Sequence, residues 1–362
     1  MSKQQLKLML KGAYFRLLAI FLTGVISGTA QAEAPRCSNV FSFEYTYGGR
    51  IAIDKKVLGV LPAQEYAQAI RAVDQRLGTL SVPHEFDIQV GKGLVFSNMN
   101  TSTSTVFVGV KSFSSQPHHA DNKINLVTLM HEYGHAVFEK NFLRVNPTYR
   151  VLRLKLIEFA ELQSRFESDK NLLDKALAEG RSFSELEALQ TRFERNIKKS
   201  RELAEQVGSL SKIHEAMHEV FADTVAVFIT KDPKAMAQIV EKTENGEIQS
   251  AYSQLNRRNF AMGKRPGMQK FWEKEVLNLK HDSADGYFVM LPVRWALWDI
   301  MRTQMSHPQF EREFLPKLFK VLEKNFNDVV QRGDSAQSGQ PYGDILRLNR
   351  QIIDDLKREF SP

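Results

Sequence analysis

An α+β fold is predicted: a small mixed β/α lobe at the N-terminal end that carries one very apolar helix, and a mainly helical C-terminal lobe with an inserted helical hairpin. Three observations predict it. Between 39 and about 112, strand-rich stretches ("VFSFEYTY", "RIAID", "EFDIQV", "TVFVGVKSF") surround one stretch of helical periodicity at 62–80. From 146 to 212, apolar residues recur at helical spacing among dense charges. Beyond 212 the helical pattern continues, with breaks at "KDPK", "GKRPG", "KHDSADG" and "GDSAQSGQPYGD".

Residues 1–32 read as an address. Lys3, Lys7, Lys11 and Arg16 precede the apolar run "LLAIFLTGVISGTA", and Ala30-Gln31-Ala32 is a small-x-small cleavage site. Fourteen mostly apolar residues are too few to cross a bilayer core comfortably, so a cleaved signal peptide and an exported protein, periplasmic or extracellular, are expected. Loss of the leader brings the net charge from +7 to about +3. That is too mild for nucleic acid or an anionic membrane as partner, and no membrane span is expected after cleavage. Cys37 is the sole cysteine, so packing rather than an internal disulfide must hold the fold.

The remaining chain divides into 33–145, the mixed lobe; 146–212, the hairpin; and 213–362, the helical lobe. Gly78 ends the 62–80 helix, and Asp121 or Asn122 stands where a cap for the next helix belongs. The hairpin stops at Gly180 and restarts with Ser184 and Glu187 in capping-box spacing.

Two H-E-x-x-H stretches carry the chemistry: His131, Glu132 and His135, then His214, Glu215 and His218. On a helix, i and i+4 share a face, so two imidazoles converge on one metal. The Glu after the first His reaches a water polarised by that metal and takes its proton. The first copy sits among Leu126, Val127, Leu129, Met130, Ala136, Val137 and Phe138, a helix apolar on nearly every side, where buried His and Glu need a partner such as a metal. Gly134 beside its second His suggests close approach of another backbone or of substrate. The second copy reads instead as the source of a third ligand. Glu219 and Asp223 in "EVFAD" share a helical face, so one carboxylate can ligate while the other accepts the N–H of a ligand His. Glu215, one turn before Glu219, is the rival ligand, and His214 and His218 are expected to be incidental.

These residues resemble the zincin metallopeptidases, specifically the gluzincins typified by thermolysin-like and neprilysin-like enzymes, in which H-E-x-x-H is followed on a later helix by E-x-x-x-D, often E-x-x-A-D. Glu219-Val-Phe-Ala-Asp223 matches the latter form. Phe138 and Asn141 stand where the metzincin branch requires Gly and a third His. The resemblance implies a zincin-like fold, His131, His135 and Glu219 as Zn2+ ligands, Glu132 as general base and Asp223 as the partner of His131. It also implies a strand near the cleft that pairs with extended substrate, for which "TVFVGV" is the candidate. Glu219 lies 84 positions after His135, beyond the thermolysin spacing, and the hairpin accounts for the excess. A G-x-M-E-N stretch is missing, which favours endopeptidase over aminopeptidase activity. E-x-x-A-D also occurs in Ste24-like peptidases. Pro35-Arg36-Cys37 is similar, over those three residues, to the cysteine-switch segments of matrix metalloproteases.

Hydrolysis of a carbonyl also needs a donor for the developing oxyanion. His281 is the first candidate, with Tyr287 and Arg294 behind it. The expectation is therefore an exported zinc peptidase acting on peptide or protein substrates. The alternative is an inactive zincin-like protein with a binding or envelope-structural role, against which Glu132 stands.

Overall fold

A computed structural model describes residues 40–46, 49–54, 63–81, 87–91, 98–100, 105–109, 122–243, 258–264, 266–277, 286–332 and 345–361, the strands by their backbone course. The expected leader, Cys37 and His281 lie outside these residues. No helix among them is long and apolar enough to cross a membrane.

Five strands, β1 (Val40–Thr46), β2 (Gly49–Asp54), β3 (Asp87–Gly91), β4 (Asn98–Asn100) and β5 (Thr105–Gly109), form one sheet in the order β1-β2-β3-β5-β4. β2, β3 and β5 run parallel, while β1 and β4 pair antiparallel at the two edges. The candidate for pairing with substrate, β5, therefore has neighbours on both sides. The described edge strand beside it is β4.

Helices follow: α1 (Ala63–Asp74), α2 (Asn122–Val145), α3 (Pro147–Ala178), α4 (Phe183–Thr230), α5 (Ala235–Thr243), α6 (Met268–Leu277), α7 (Gly286–Val289), α8 (Leu291–Gln304), α9 (Pro308–Arg332) and α10 (Ile345–Glu359), with a 3-10 turn at Phe260–Lys264. One contiguous apolar core runs from Tyr66 and Ile70 of α1 through α2, α4, α8 and α9 to Leu356 and Phe360 at the end of the chain.

This overturns the expected α+β class. The part of the protein whose side-chain packing is described is 88% helical with no strand, and so all-α. Layer class follows from what encloses the core, and here helix packs on helix. Strand propensity in the N-terminal stretches reported a local preference, and the much longer apolar faces of α2, α4, α8 and α9 decided the architecture.

Residues 129–139 of α2 and 220–228 of α4 are buried without interruption. Helices apolar all round belong at a centre, and these two cross there. Gly134 makes the crossing close: a Cβ at this position would stand 2.9 Å from Ala222 Cα and 3.3 Å from Val225 Cβ. The close approach expected at Gly134 is thus to the backbone of α4.

The hairpin of α3 and α4 grows out of this crossing. Asn146 caps α3 by accepting from the Tyr149 N–H, with Pro147 at the first position, and Gly180 at φ +69° ends the first arm. The second arm begins at Ser182, whose capping box is closed by Glu185, not at Ser184 with Glu187. Small apolar clusters hold the arms together, among them Phe193 and Ile197 on Phe166, and Phe159 and Leu162 on Leu203. α4 runs through position 212 without a break, so the second arm and the segment carrying the second H-E-x-x-H are one rigid element.

Candidate metal centre

The i, i+4 spacing on α2 sets His131 and His135 one turn apart, their rings edge to face at 4.4 Å and their Nε2 atoms 3.0 Å from each other. α4 brings Glu219 across, with one carboxylate oxygen 3.5 Å from His131 Nε2 and the other 3.5 Å from His135 Nε2. Among the described residues, these three bring their ligand atoms within 4.8 Å of one another, a cluster that could hold a metal ion. Glu215 is outside that cluster. Tetrahedral coordination at about 2.0–2.2 Å holds ligand atoms roughly 3.3–3.6 Å apart; Glu219 stands 3.5 Å from each imidazole, within that range, and the two Nε2 atoms at 3.0 Å are slightly closer. The donor set fits a divalent cation of borderline softness.

Electrostatics points the same way. Burial lowers the pKa of His131 and, more strongly, of His135, keeping both imidazoles neutral with a lone pair to offer. Burial pushes the Glu219 carboxyl well up, opposed by Arg258 and reinforced by Asp223, Glu132 and Glu215. Burial likewise raises Glu132 to about 8, against the pull of Arg258. Carboxyls crowded in a dry site are costly to ionise, and a cation among them reverses that cost.

Asp223 is the exception. Burial pushes it up, yet Arg258, Arg294 and His131 outweigh burial and hold it ionised. His131 Nδ1–H donates to its Oδ1 at 3.0 Å, which fixes the tautomer with Nε2 free to ligate. Arg258 Nη2 donates to the same oxygen at 2.6 Å. Arg294 donates to Oδ2 from Nε at 2.9 Å, and its Nη2 pairs ionically with the same oxygen at 2.8 Å. The structure therefore places Arg294, fully buried, on Asp223. The side chain of Tyr287 lies outside what is described, as does His281.

Two features escaped sequence reasoning. Arg258 stands in "NRRN", with no periodicity or spacing to motifs that marks it. His214 and His218 were expected to be incidental, yet His218 packs against a ligand ring and His214 packs in turn on His218. His218 contacts the His135 ring at 4.2 Å, and His214 stacks on Tyr149 at 4.0 Å. Their signal was present, since an apolar run follows both imidazoles on the same helix and carries His214 into the core and His218 partly so, but a single sequence does not say against what.

Comparison with protein-family models, curated proteins and solved structures gives no match.

Proposed function

We propose that this protein is a zinc-dependent peptidase in which His131, His135 and Glu219 hold the ion and Glu132 is the proton acceptor. The observation that carries the reading is the convergence of those three ligand atoms beside a buried carboxyl that is not itself part of the cluster. When bound there, zinc supplies a Lewis acid and brings the pKa of a water toward neutrality.

The chain supplies the rest. Burial raises Glu132 to about 8 in the metal-free site; a bound cation would lower it, leaving a carboxylate that can accept a proton and return it to a leaving amine. Asp223, clamped by two arginines, holds His131 in one tautomer and one orientation. Burial of both imidazoles excludes competing water and keeps them neutral at pH 7. Of the two described edge strands, β1 and β4, it is β4 that runs beside α2, so an extended peptide backbone pairs with Asn98–Asn100 rather than with β5. With the leader expected at 1–32, the enzyme works outside the cytoplasm.

The test is metal analysis of the purified protein together with quenched-peptide cleavage, with and without chelator. One equivalent of zinc and chelator-sensitive cleavage are expected. Stoichiometric zinc with no cleavage of a peptide library would transfer the protein to the binding reading, and the absence of any bound metal would refute the centre itself.

A further inference from the structure

The structure assigns His218, from the second H-E-x-x-H, to positioning the ligand His135; the inference rests on the metal-centre reading above. His131 and His135 are not held alike. The Nδ1 of His131 meets Asp223, whereas the Nδ1 of His135 is buried with no hydrogen-bond partner among the described residues. A ligand imidazole ordinarily has its second nitrogen tied down, because that bond sets the ring's aim. His135 is held by another route.

That route is His218. Its Nε2–H donates to the main-chain carbonyl of His135 at 2.9 Å, and a carbonyl can only accept, so the tautomer is settled. The two rings meet edge to face, centroids 4.2 Å apart, closing one side of the His135 ring. Phe138 backs His218 at 5.3 Å and His214 continues the column at 5.5 Å, stacked in turn on Tyr149. Glu219 is the next residue along α4. One turn of that helix thus delivers the third ligand and braces the second, so the register of α4 against α2 sets both together. Asp223 fixes His131 through its side chain, and His218 fixes His135 through its backbone and ring.

The experiment uses the full chain, stripped with chelator and titrated with zinc against a chromophoric competitor. It adds the visible spectrum of the cobalt-loaded protein and the unfolding temperature of the metal-free form. His218→Leu removes both the donor and the ring edge, and is expected to weaken zinc ten- to a hundredfold and to alter the cobalt spectrum. His218→Gln, which restores an N–H donor, should recover most of the affinity and the wild-type spectrum. If the Leu variant fails to fold, His218→Phe carries the test: it keeps an aromatic ring beside Phe138 but has no donor, and about a tenfold loss is expected. Unchanged zinc affinity in a folded Leu or Phe variant would overturn the inference. So would complete loss of zinc from His218→Gln, which would make His218 a ligand. Wild-type protein that takes up no zinc brings down the metal reading itself, whereas equal binding by wild type and variants removes only the role of His218.

Discussion

Gly134→Ala tests whether helix crossing and metal geometry are one property. The added methyl would lie 2.9 Å from Ala222 Cα and 3.3 Å from Val225 Cβ and Cγ2. Ordinary carbon contacts begin near 3.5 Å, and Ala222 Cα is backbone, so α2 and α4 must part locally by about 0.6 Å. Overpacking of that kind costs about 1–3 kcal/mol, while Ala in place of Gly inside a helix returns about 1 kcal/mol. The metal-free protein is therefore expected to lose about 1 kcal/mol, read by urea denaturation. The effect on the centre should be larger. Its ligands come from both helices, with Glu219 3.5 Å from each imidazole, and metal sites tolerate about 0.2 Å of error. Zinc affinity should fall at least tenfold in a competition titration. A variant stabilised by about 1 kcal/mol, as helix propensity alone would give, with unchanged zinc affinity would refute the coupling.

Three further outcomes follow from the same geometry. His131→Ala, His135→Ala and Glu219→Ala should each lose most of the metal after gel filtration, and Glu215→Ala should keep it; the reverse for Glu219 and Glu215 would reassign the third ligand. Glu132→Gln should keep zinc and lose nearly all turnover. In the metal-free protein, Glu132 has a folded pKa of about 8, raised by burial above the value of 4.5 expected when unfolded. Its contribution is fully present below about 4.5 and is lost as pH rises to 8, by at most about 5 kcal/mol. The unfolding temperature of Glu132→Gln should accordingly gain on wild type between pH 5 and 8 in chelator, and a constant difference would contradict the raised pKa. Arg294→Met breaks a fully buried ion pair with Asp223 and should cost about 3–5 kcal/mol in denaturant, with weaker zinc binding. A cost below about 1 kcal/mol would mean Arg258 alone suffices.

Short-range geometry is written plainly along this chain. Two His residues four apart share a helix face whatever surrounds them, Glu219 and Asp223 do the same, and a helix apolar on every side must be buried. Gly180 in the left-handed region ends α3 because only its lack of a Cβ makes that conformation cheap. Each of these depends on neighbours within a turn or two. Long-range choices were hidden. Strand-rich composition near the N-terminus suggested an α+β protein, but class depends on which faces pack together, and the helical faces won. Ser184 and Glu187 had the right spacing for a cap, while Ser182 and Glu185 took it, since the turn after Gly180 starts the helix two residues earlier. Arg258 and Arg294 lie 35 and 71 positions from the carboxylate they share. His218 lies 83 from the carbonyl it braces. Nothing local brings such groups together. The close crossing at Gly134 and Ala222 does, because a buried charge or imidazole is stable only where folding supplies its partner.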